Sequence, residues 1–229
     1  MPALTNLHLI DSIPNDAEGS YTYAVVDLPC LRVLNISSGV GAVTAVLRHI
    51  TFPRSAILNL TCKGKQSIKI DFSSFFFVLA TKFLSTLVVR SLRVSYSHYT
   101  DNFTLKFYLW TTAPIQECFP TSQISGSQLQ LVLKWPTPQP HSYVKAVNCA
   151  FDAMDLSFLT QLQIKALDWF DSRSWVKTFG KLPLLEQVCV QSTALQPFLE
   201  ALVYKTKAAE KSEAAYLTSF SLNFAISTW

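Results

Sequence analysis

The chain has 229 residues, of which 49% are hydrophobic and 15% are charged, and this composition excludes disorder over most of the length. The net charge of +4 is spread without any block of five basic residues, so we expect no nucleic-acid partner. The first 25 residues lack the basic-then-apolar layout of a secretory signal, and Lys82 with five Ser or Thr residues interrupts the apolar stretch 72–89. We therefore predict an intracellular protein, cytoplasmic or nuclear, with no membrane contact.

One pattern, L-x-x-L-x-L, recurs eight times and predicts eight strands. The frames begin at Leu4, Leu31, Ser55, Val89, Gln128, Leu159, Leu185 and Leu217. Their starts lie 24 to 39 residues apart, and such irregular spacing is typical of a degenerate leucine-rich solenoid. Helical periodicity alternates with the frames in segments 43–50, 76–87, 144–151, 175–179 and 195–202.

These patterns predict an α/β fold: an irregular leucine-rich-repeat-like solenoid with a curved, mainly parallel sheet on one face and helices on the other. We assign residues 1–229 to a single repeat domain. Because the first frame begins four residues into the chain and the last ends seven residues before Trp229, we expect a fragment that lacks the polar capping units of a solenoid.

Local signals refine this prediction in chain order. Thr44 is expected to cap the first helix, and Ser174 is expected to open the short helix near Trp175. Apolar and polar residues alternate from Phe103 to Leu109, which predicts a second strand in a hairpin with the fourth frame. The remaining segments are predicted loops at 114–127 and 136–142 and a charged helical extension at 205–213.

Cysteine and histidine usage predicts neither a metal site nor a cofactor. The five cysteines form no CxxC pair, so we expect reduced core thiols, and the four histidines lie far apart in unlike elements. Sequons begin at Asn35, Asn59 and Asn102, but they would matter only in a secreted protein.

No catalytic residue is assigned, although two arrangements resemble parts of known enzyme sites. Gly39-Val40-Gly41 lies between a strand and a helix, where a dinucleotide-binding turn would lie, but Thr44 takes the place of the third glycine. A nucleotide-binding α/β enzyme therefore stays a minor alternative. The acidic pairs Asp152 with Asp155 and Asp168 with Asp171 are candidates for acid and base chemistry, but their positions favour turns.

Several segments together are similar to a known family. They are Leu28 to Ile36, the helix Val43 to Ile50, Ile57 to Cys62, the hairpin Leu92 to Trp110, Leu133 to Pro136, Leu182 to Leu185 and Phe198 to Leu202. These segments resemble the leucine-rich region of F-box proteins of mushroom-forming fungi, over nearly the whole chain. The resemblance implies a non-catalytic substrate-recognition region of an F-box-type ubiquitin ligase component. The F-box is not found among these residues, so a cullin-ligase adaptor is implied as a partner only if an F-box lies outside this chain.

Strand residues that alternate with the leucines should line an exposed, concave face of the sheet. Twelve of them are predicted to bind a protein partner: Asn6, His8, Asn35, Asn59, Arg93, Gln130, Lys134, Gln161, Gln163, Lys165, Gln187 and Gln191. The face is rich in amides, weakly basic and free of acidic residues, so it suits a polar or acidic segment of another protein. Two alternatives stay open: these residues are only the solvated side of the strands, or the chain is a truncated or remnant gene product without independent activity.

Overall fold

The computed structural model describes residues 3–11, 24–64, 72–99, 102–111, 126–136, 140–167, 170–179, 182–191, 196–201 and 203. The strands are β1 (Asn6–Ile10), β2 (Val26–Asp27), β3 (Val33–Gly39), β4 (Ile50–Thr51), β5 (Ile57–Lys63), β6 (Ser91–Tyr99), β7 (Asn102–Trp110), β8 (Leu129–Trp135), β9 (Gln161–Lys165) and β10 (Gln187–Gln191). The helices are α1 (Val40–His49), α2 (Phe72–Lys82), α3 (Pro140–Ala153) and α4 (Ser172–Phe179), with a 3₁₀ turn at Leu84–Thr86. Residues 196–201 are also helical.

Eight of these strands form one sheet in the order β1-β3-β5-β8-β7-β6-β9-β10, and β2 pairs with β4 separately. All neighbours in the large sheet are parallel except that β7 runs antiparallel to both β8 and β6. The predicted α/β class with a mainly parallel sheet is therefore confirmed. The predicted hairpin is confirmed as well, because β6 and β7 pair from Ser91 with Trp110 to Tyr99 with Asn102.

The strand order differs from a simple succession of repeats. After β5 the chain passes through α2 and enters β6, which lies three positions away in the sheet, and the run β6-β7-β8 then returns to β5. Antiparallel strands can follow one another through short connections, whereas parallel neighbours need a crossover. The meander therefore inserts β8 and β7 between strands that a repeat-by-repeat order would place side by side.

Two unbroken apolar rows cross the sheet in register and form one side of its core. The first contains Leu7, Leu34, Leu58, Leu129, Leu109, Leu92, Leu162 and Val188, and the second contains Leu9, Ile36, Leu60, Leu131, Phe107, Val94, Ile164 and Val190. The frame predicted at Gln128 is wrong by two residues, since Leu129 rather than Leu131 aligns with Leu58. The eighth frame, at Leu217, lies outside the described residues.

Helices α1, α2 and α3 pack side by side against these rows. Phe76 of α2 meets Phe107 of β7 edge-on with ring centroids 6.4 Å apart. Tyr143 of α3 meets Trp135 at the end of β8 at 4.9 Å. Burying one such side chain stabilises the fold by about 1.5–3 kcal/mol, so this layer of leucines and rings supplies much of the driving force for folding.

Helix starts differ from the predictions in ways that hydrogen bonding explains. Helix α1 begins at Val40, so Thr44 lies one turn inside it, where its hydroxyl donates to the Val40 carbonyl at 2.7 Å and caps nothing. Helix α4 begins before Ser174, and its cap is Asp171, whose Oδ1 accepts from the Ser174 N–H at 2.8 Å. Helix α3 begins at Pro140, inside the predicted loop 136–142, because proline fits a first helical position.

Cysteine states also differ from the prediction. Cys189 is disulfide-bonded, so the expectation that all five thiols are reduced is wrong for this residue. Cys30, Cys62 and Cys149 are free. No helix among the described residues is long and apolar enough to cross a bilayer.

Thiol labelling should report the buried position of β5. Cys62 faces the helix layer with 1% of its surface exposed, and this burial raises the pKa of its thiol. Since a thiol reagent reaches Cys62 only when the fold opens, we expect it to react about 10³-fold or more slowly than the exposed Cys30. The check is a time course with an aromatic disulfide reagent followed by peptide mass spectrometry. Native rates within tenfold of each other, with equal rates in denaturant, would contradict the placement of β5.

Candidate functional site: the open face of the sheet

The open face is the side of the sheet that carries the strand residues alternating with the two apolar rows, and it lies opposite α1, α2 and α3. All twelve predicted binding residues lie on this face. By strand they are Asn6 and His8 on β1, Asn35 on β3, Asn59 on β5, Gln130 and Lys134 on β8, Arg93 on β6, Gln161, Gln163 and Lys165 on β9, and Gln187 and Gln191 on β10.

A central polar row crosses all eight strands of this face in register. It contains His8, Asn35, Asn59, Gln130, Tyr108, Arg93, Gln163 and Cys189. Tyr108 comes from β7, which has no leucine frame, so the frame pattern could not place it in the row. The register aligns in a single row residues that lie up to 181 positions apart in the sequence, from His8 at one edge of the sheet to Cys189 at the other.

Three members of this row form a hydrogen-bonded amide ladder, His8–Asn35–Asn59. The Asn59 side-chain N–H donates to Asn35 Oδ1 at 2.6 Å. Asn35 Nδ2 lies 2.9 Å from His8 Nδ1, which accepts in the neutral tautomer protonated at Nε2. The ladder fixes the orientation of two amides on β3 and β5, so this part of the face is ordered before any partner arrives.

A second polar chain lies at the other half of the face, on β6, β9 and β10. The Ser91 hydroxyl lies 3.3 Å from Gln161 Oε1, to which it donates, and Gln161 Nε2 donates to Gln187 Oε1 at 2.7 Å. Ser91 is fully buried and Gln161 is 8% exposed. Buried polar groups need such partners, because an unpaired one costs about 1–3 kcal/mol.

Exposure on the open face is highest on β1 and low for the amides and the arginine of β6 and β9. Asn6 and His8 are exposed, and the amides on β3, β5 and β8 are half-buried. Arg93, Gln161 and Gln163 are buried, with only 7%, 8% and 3% of their surface exposed. The expectation that all twelve side chains face solvent is therefore wrong for these three, because a polar residue in a strand has the same sequence signature whether its face is open or covered.

Arg93 shows most clearly the difference between predicted exposure and observed burial. It pairs across strands with Tyr108, and both residues are buried. Burial lowers the pKa of Arg93 and raises the pKa of Tyr108, since both charged forms lose hydration. Arg93 therefore belongs to the interior of the face and offers no exposed charge to a partner.

A lysine band, defined as Lys63, Lys134, Lys106 and Lys165, lies at the end of the open face where the parallel strands finish. Lys63 and Lys134 are direct cross-strand neighbours, and Lys106 and Lys165 both pair with Ser95 between them. Lys106 is half-buried and the other three are exposed. The sequence pattern predicted Lys134 and Lys165 as binding residues but not Lys63 or Lys106. Lys63 lies two residues beyond the last outward position of its frame, and Lys106 lies on β7, a strand without a frame.

The lysine band carries little compensating negative charge. Among the described residues, Lys63 pairs with Asp11, and Lys106, Lys134 and Lys165 form no ion pair. None of the described strand residues on the open face is acidic. The band is therefore a local excess of positive charge on a chain whose net charge is only +4.

The acidic candidates for acid and base chemistry take part in local structure. Asp155 Oδ1 accepts from the Ser157 N–H at 3.0 Å, and Asp171 caps α4. Hydrogen bonds from Ser157 and Ser174, respectively, lower the pKa of each carboxyl group. Asp152 lies 3.8 Å from Lys177, and Asp168 is outside the described residues. These bonds fit the interpretation of Asp155 and Asp171 as turn and cap residues.

The glycine turn at the end of β3 has no room for a phosphate loop. Gly39 is the last residue of β3, with φ −61° and ψ 151°, and α1 begins at the next residue. Neither Gly39 nor Gly41 has a positive φ, so neither uses the backbone freedom that a dinucleotide-binding turn requires of its glycines. In the described part of the chain, no group of three His, Cys, Asp or Glu residues could hold a metal ion.

Known proteins give no further guidance on this surface. The chain matches no family model, no curated protein and no solved structure. A function must therefore be inferred from the open face itself.

Proposed function

We propose that this protein is a non-catalytic interaction scaffold of the leucine-rich-repeat-like, solenoid type, whose open face binds another protein. The observation that carries the proposal is the register: polar rows cross the open face directly above two unbroken apolar rows. Leucine frames that repeat in register place equivalent outward residues side by side, which is how repeat scaffolds build an extended binding surface.

The parallel runs β1-β3-β5 and β6-β9-β10 support the solenoid interpretation. Within the first run, α1 connects β3 to its direct neighbour β5, as one repeat connects to the next. The meander β6-β7-β8 joins the two runs and accounts for the long interval between the fourth and fifth frames. We propose two short repeat arrays held together by an antiparallel insertion.

Preorganisation favours a binding role over a merely solvated face. A partner that meets the ladder His8–Asn35–Asn59 finds amides already held by hydrogen bonds. Side chains fixed in advance lose less conformational entropy when they bind, at about 0.5–1.5 kcal/mol for each one ordered. The exposed half of the face, on β1, β3, β5 and β8, is therefore the proposed contact surface.

Site-specific photo-crosslinking tests the proposal. A photoreactive amino acid replaces Asn59 on the open face or, as the control, Phe77 on α2, which is 69% exposed. We expect one partner to be cross-linked from position 59 in cell extract, to be absent from position 77, and to be lost when Asn35→Arg is added. Cross-linking of the same proteins from both positions, or of none from position 59, would sink the proposal.

The resemblance to fungal F-box proteins extends the proposal to substrate recognition in a ubiquitin ligase. Co-precipitation of the full-length gene product with the cullin-ligase adaptor is the matching experiment. Association is expected if an F-box accompanies this region. An absence of association would remove the ubiquitin link and leave the scaffold proposal in place.

A remnant gene product without independent activity is the alternative in a different class. One continuous core, from Leu31 to Ala201, speaks against it, because such a core supports cooperative folding. A single sharp thermal transition of the purified chain is the expected result. A broad, probe-dependent transition would favour the remnant instead.

A further inference from the structure

The lysine band has a defined geometry in the sheet. From Lys134 on β8 to Lys165 on β9 the band crosses three strand spacings, because β7 and β6 lie between them. Three spacings of about 4.8 Å and an offset of two residues along the strand, about 6.8 Å, put Lys134 and Lys165 about 16 Å apart. Lys106 and Lys165 share one cross-strand row through Ser95, and Lys134 lies one strand beyond Lys106 and two residues further along β8. Three exposed or half-buried lysines therefore follow an oblique path across the strands.

The structure already shows a carboxylate at one end of this band. Asp11 follows β1, and its Oδ2 accepts from Lys63 Nζ at 2.5 Å, two strands away. The Asp11 backbone has a φ of 47°, and its N–H donates to the Ser37 carbonyl at 2.8 Å, which holds the carboxylate over the face. Asp11 therefore neutralises Lys63 and leaves the other three lysines for an external ligand.

We propose that the lysine band docks an extended acidic peptide segment that runs obliquely across the strands and continues the carboxylate–lysine pairing begun by Asp11. This inference rests on the proposed scaffold function and names the chemistry of its partner. Alternate residues of an extended peptide lie about 6.8 Å apart on one side. Acidic residues at three alternate positions therefore span about 14 Å, and the long lysine side chains can close the small difference from the separation of about 16 Å between Lys134 and Lys165.

Charge and composition favour a peptide over a nucleic acid. The band consists of lysines without arginine, and the buried Arg93 is withheld from the surface. The neighbouring open-face residues include amides and hydroxyls, together with Val132, which is buried beside Lys106. Single-stranded nucleic acids bind best where aromatic rings accompany the cations. The aromatic residue of the central polar row, Tyr108, is buried and cannot stack on a base. A lysine band with hydroxyl side chains such as Ser95 between its members suits carboxylates joined by a polar backbone.

Fluorescence anisotropy with synthetic peptides tests the proposal. The probe is a labelled heptapeptide with glutamate at its second, fourth and sixth positions, and the controls are its glutamine counterpart and a peptide with three adjacent glutamates. We expect the alternating peptide to bind about tenfold or more tightly than either control at 50 mM salt, and to weaken at 500 mM salt as screening shortens the Debye length. Equal binding of all three peptides would overturn the proposal.

Charge-reversal variants locate the contact. The double variant Lys134→Glu, Lys165→Glu is expected to weaken binding of the alternating peptide at least tenfold. The control is Lys145→Glu, which changes an exposed lysine of α3 on the helix side and should leave this binding unchanged. Thermal unfolding confirms that the variants fold. Equal losses in the two cases, or binding of a single-stranded oligonucleotide as tight as that of the peptide, would contradict the assignment.

Asp11→Asn is the sharpest variant, because asparagine tolerates the left-handed backbone of residue 11 and removes only the charge. Because the variant frees Lys63, the affinity for the alternating peptide should rise about two- to fivefold. An unchanged or weaker affinity would show that Asp11 does not compete for the band. If the peptide fails to bind while photo-crosslinking from position 59 persists, the lysine-band inference falls and the scaffold proposal stands.

Discussion

Replacing Leu58 with alanine is expected to lower the free energy of unfolding by about 2–5 kcal/mol. Leu58 lies in the first apolar row, is fully buried, and is flanked in register by Leu34 and Leu129. Neighbours on both strands are fixed by sheet hydrogen bonds and cannot collapse into the space, so the cavity persists. Urea denaturation followed by fluorescence measures the change.

The control lies one residue away on the same strand. Ile57 points to the open face and is 36% exposed, so Ile57→Ala removes a similar volume without leaving a closed cavity. We expect it to cost about 1 kcal/mol. Equal costs for the two variants would mean that β5 does not present Leu58 to the helix layer.

An engineered disulfide between Thr61→Cys and Val132→Cys is expected to form and to stabilise the fold by about 4 kcal/mol. Thr61 and Val132 are aligned on the neighbouring strands β5 and β8. Adjacent strands lie about 4.8 Å apart, within the Cα separation that a disulfide accepts. The bond closes a loop of about 70 residues, and the loop-entropy relation gives the expected stabilisation. Non-reducing gel mobility and the shift in denaturation midpoint, in a Cys30→Ser, Cys149→Ser background, are the measurements.

A second pair tests the competing strand order. If β6 followed β5 directly, as in successive repeats, Thr61→Cys would cross-link with Ser95→Cys instead. In the observed order Val132 and Lys106 lie between these two positions in the same row. The separation is then about 14 Å, too long for a disulfide. Oxidation of the second pair in preference to the first would refute the meander.

The leucine frames predicted the correct face for every described strand they marked. Even the frame at Gln128, displaced by two residues, put Gln130 and Lys134 on the open face, because side chains alternate with a period of two. A register error of two residues changes which residues are paired across strands, but it leaves each side chain on the same face of the sheet. The fold class, the β6-β7 hairpin and the face on which each strand residue lies could therefore be predicted from local periodicity.

Strand order and coverage could not be predicted in the same way. Whether β5 pairs with β6 or with β8 depends on contacts about 70 residues apart, and both strands offer the same apolar row. Likewise, nothing in the sequence around Gln163 separates a solvated amide from one that is 3% exposed. For the same reason, only Lys134 and Lys165 of the lysine band were predicted. Lys106 belongs to the band only because β7 lies between β8 and β6.

The antiparallel strand β7 has a consequence for how the chain folds. Its contacts with β6 and β8 join residues close in sequence, whereas β5 meets β8, and β6 meets β9, only across long intervening segments. Loop closure is fastest for nearby segments, so the β6-β7 hairpin, whose paired residues are 3 to 19 positions apart, is expected to form first and to offer its edges to β8 and β9. Growth from the middle outward, rather than from one end, is the folding route that this topology favours.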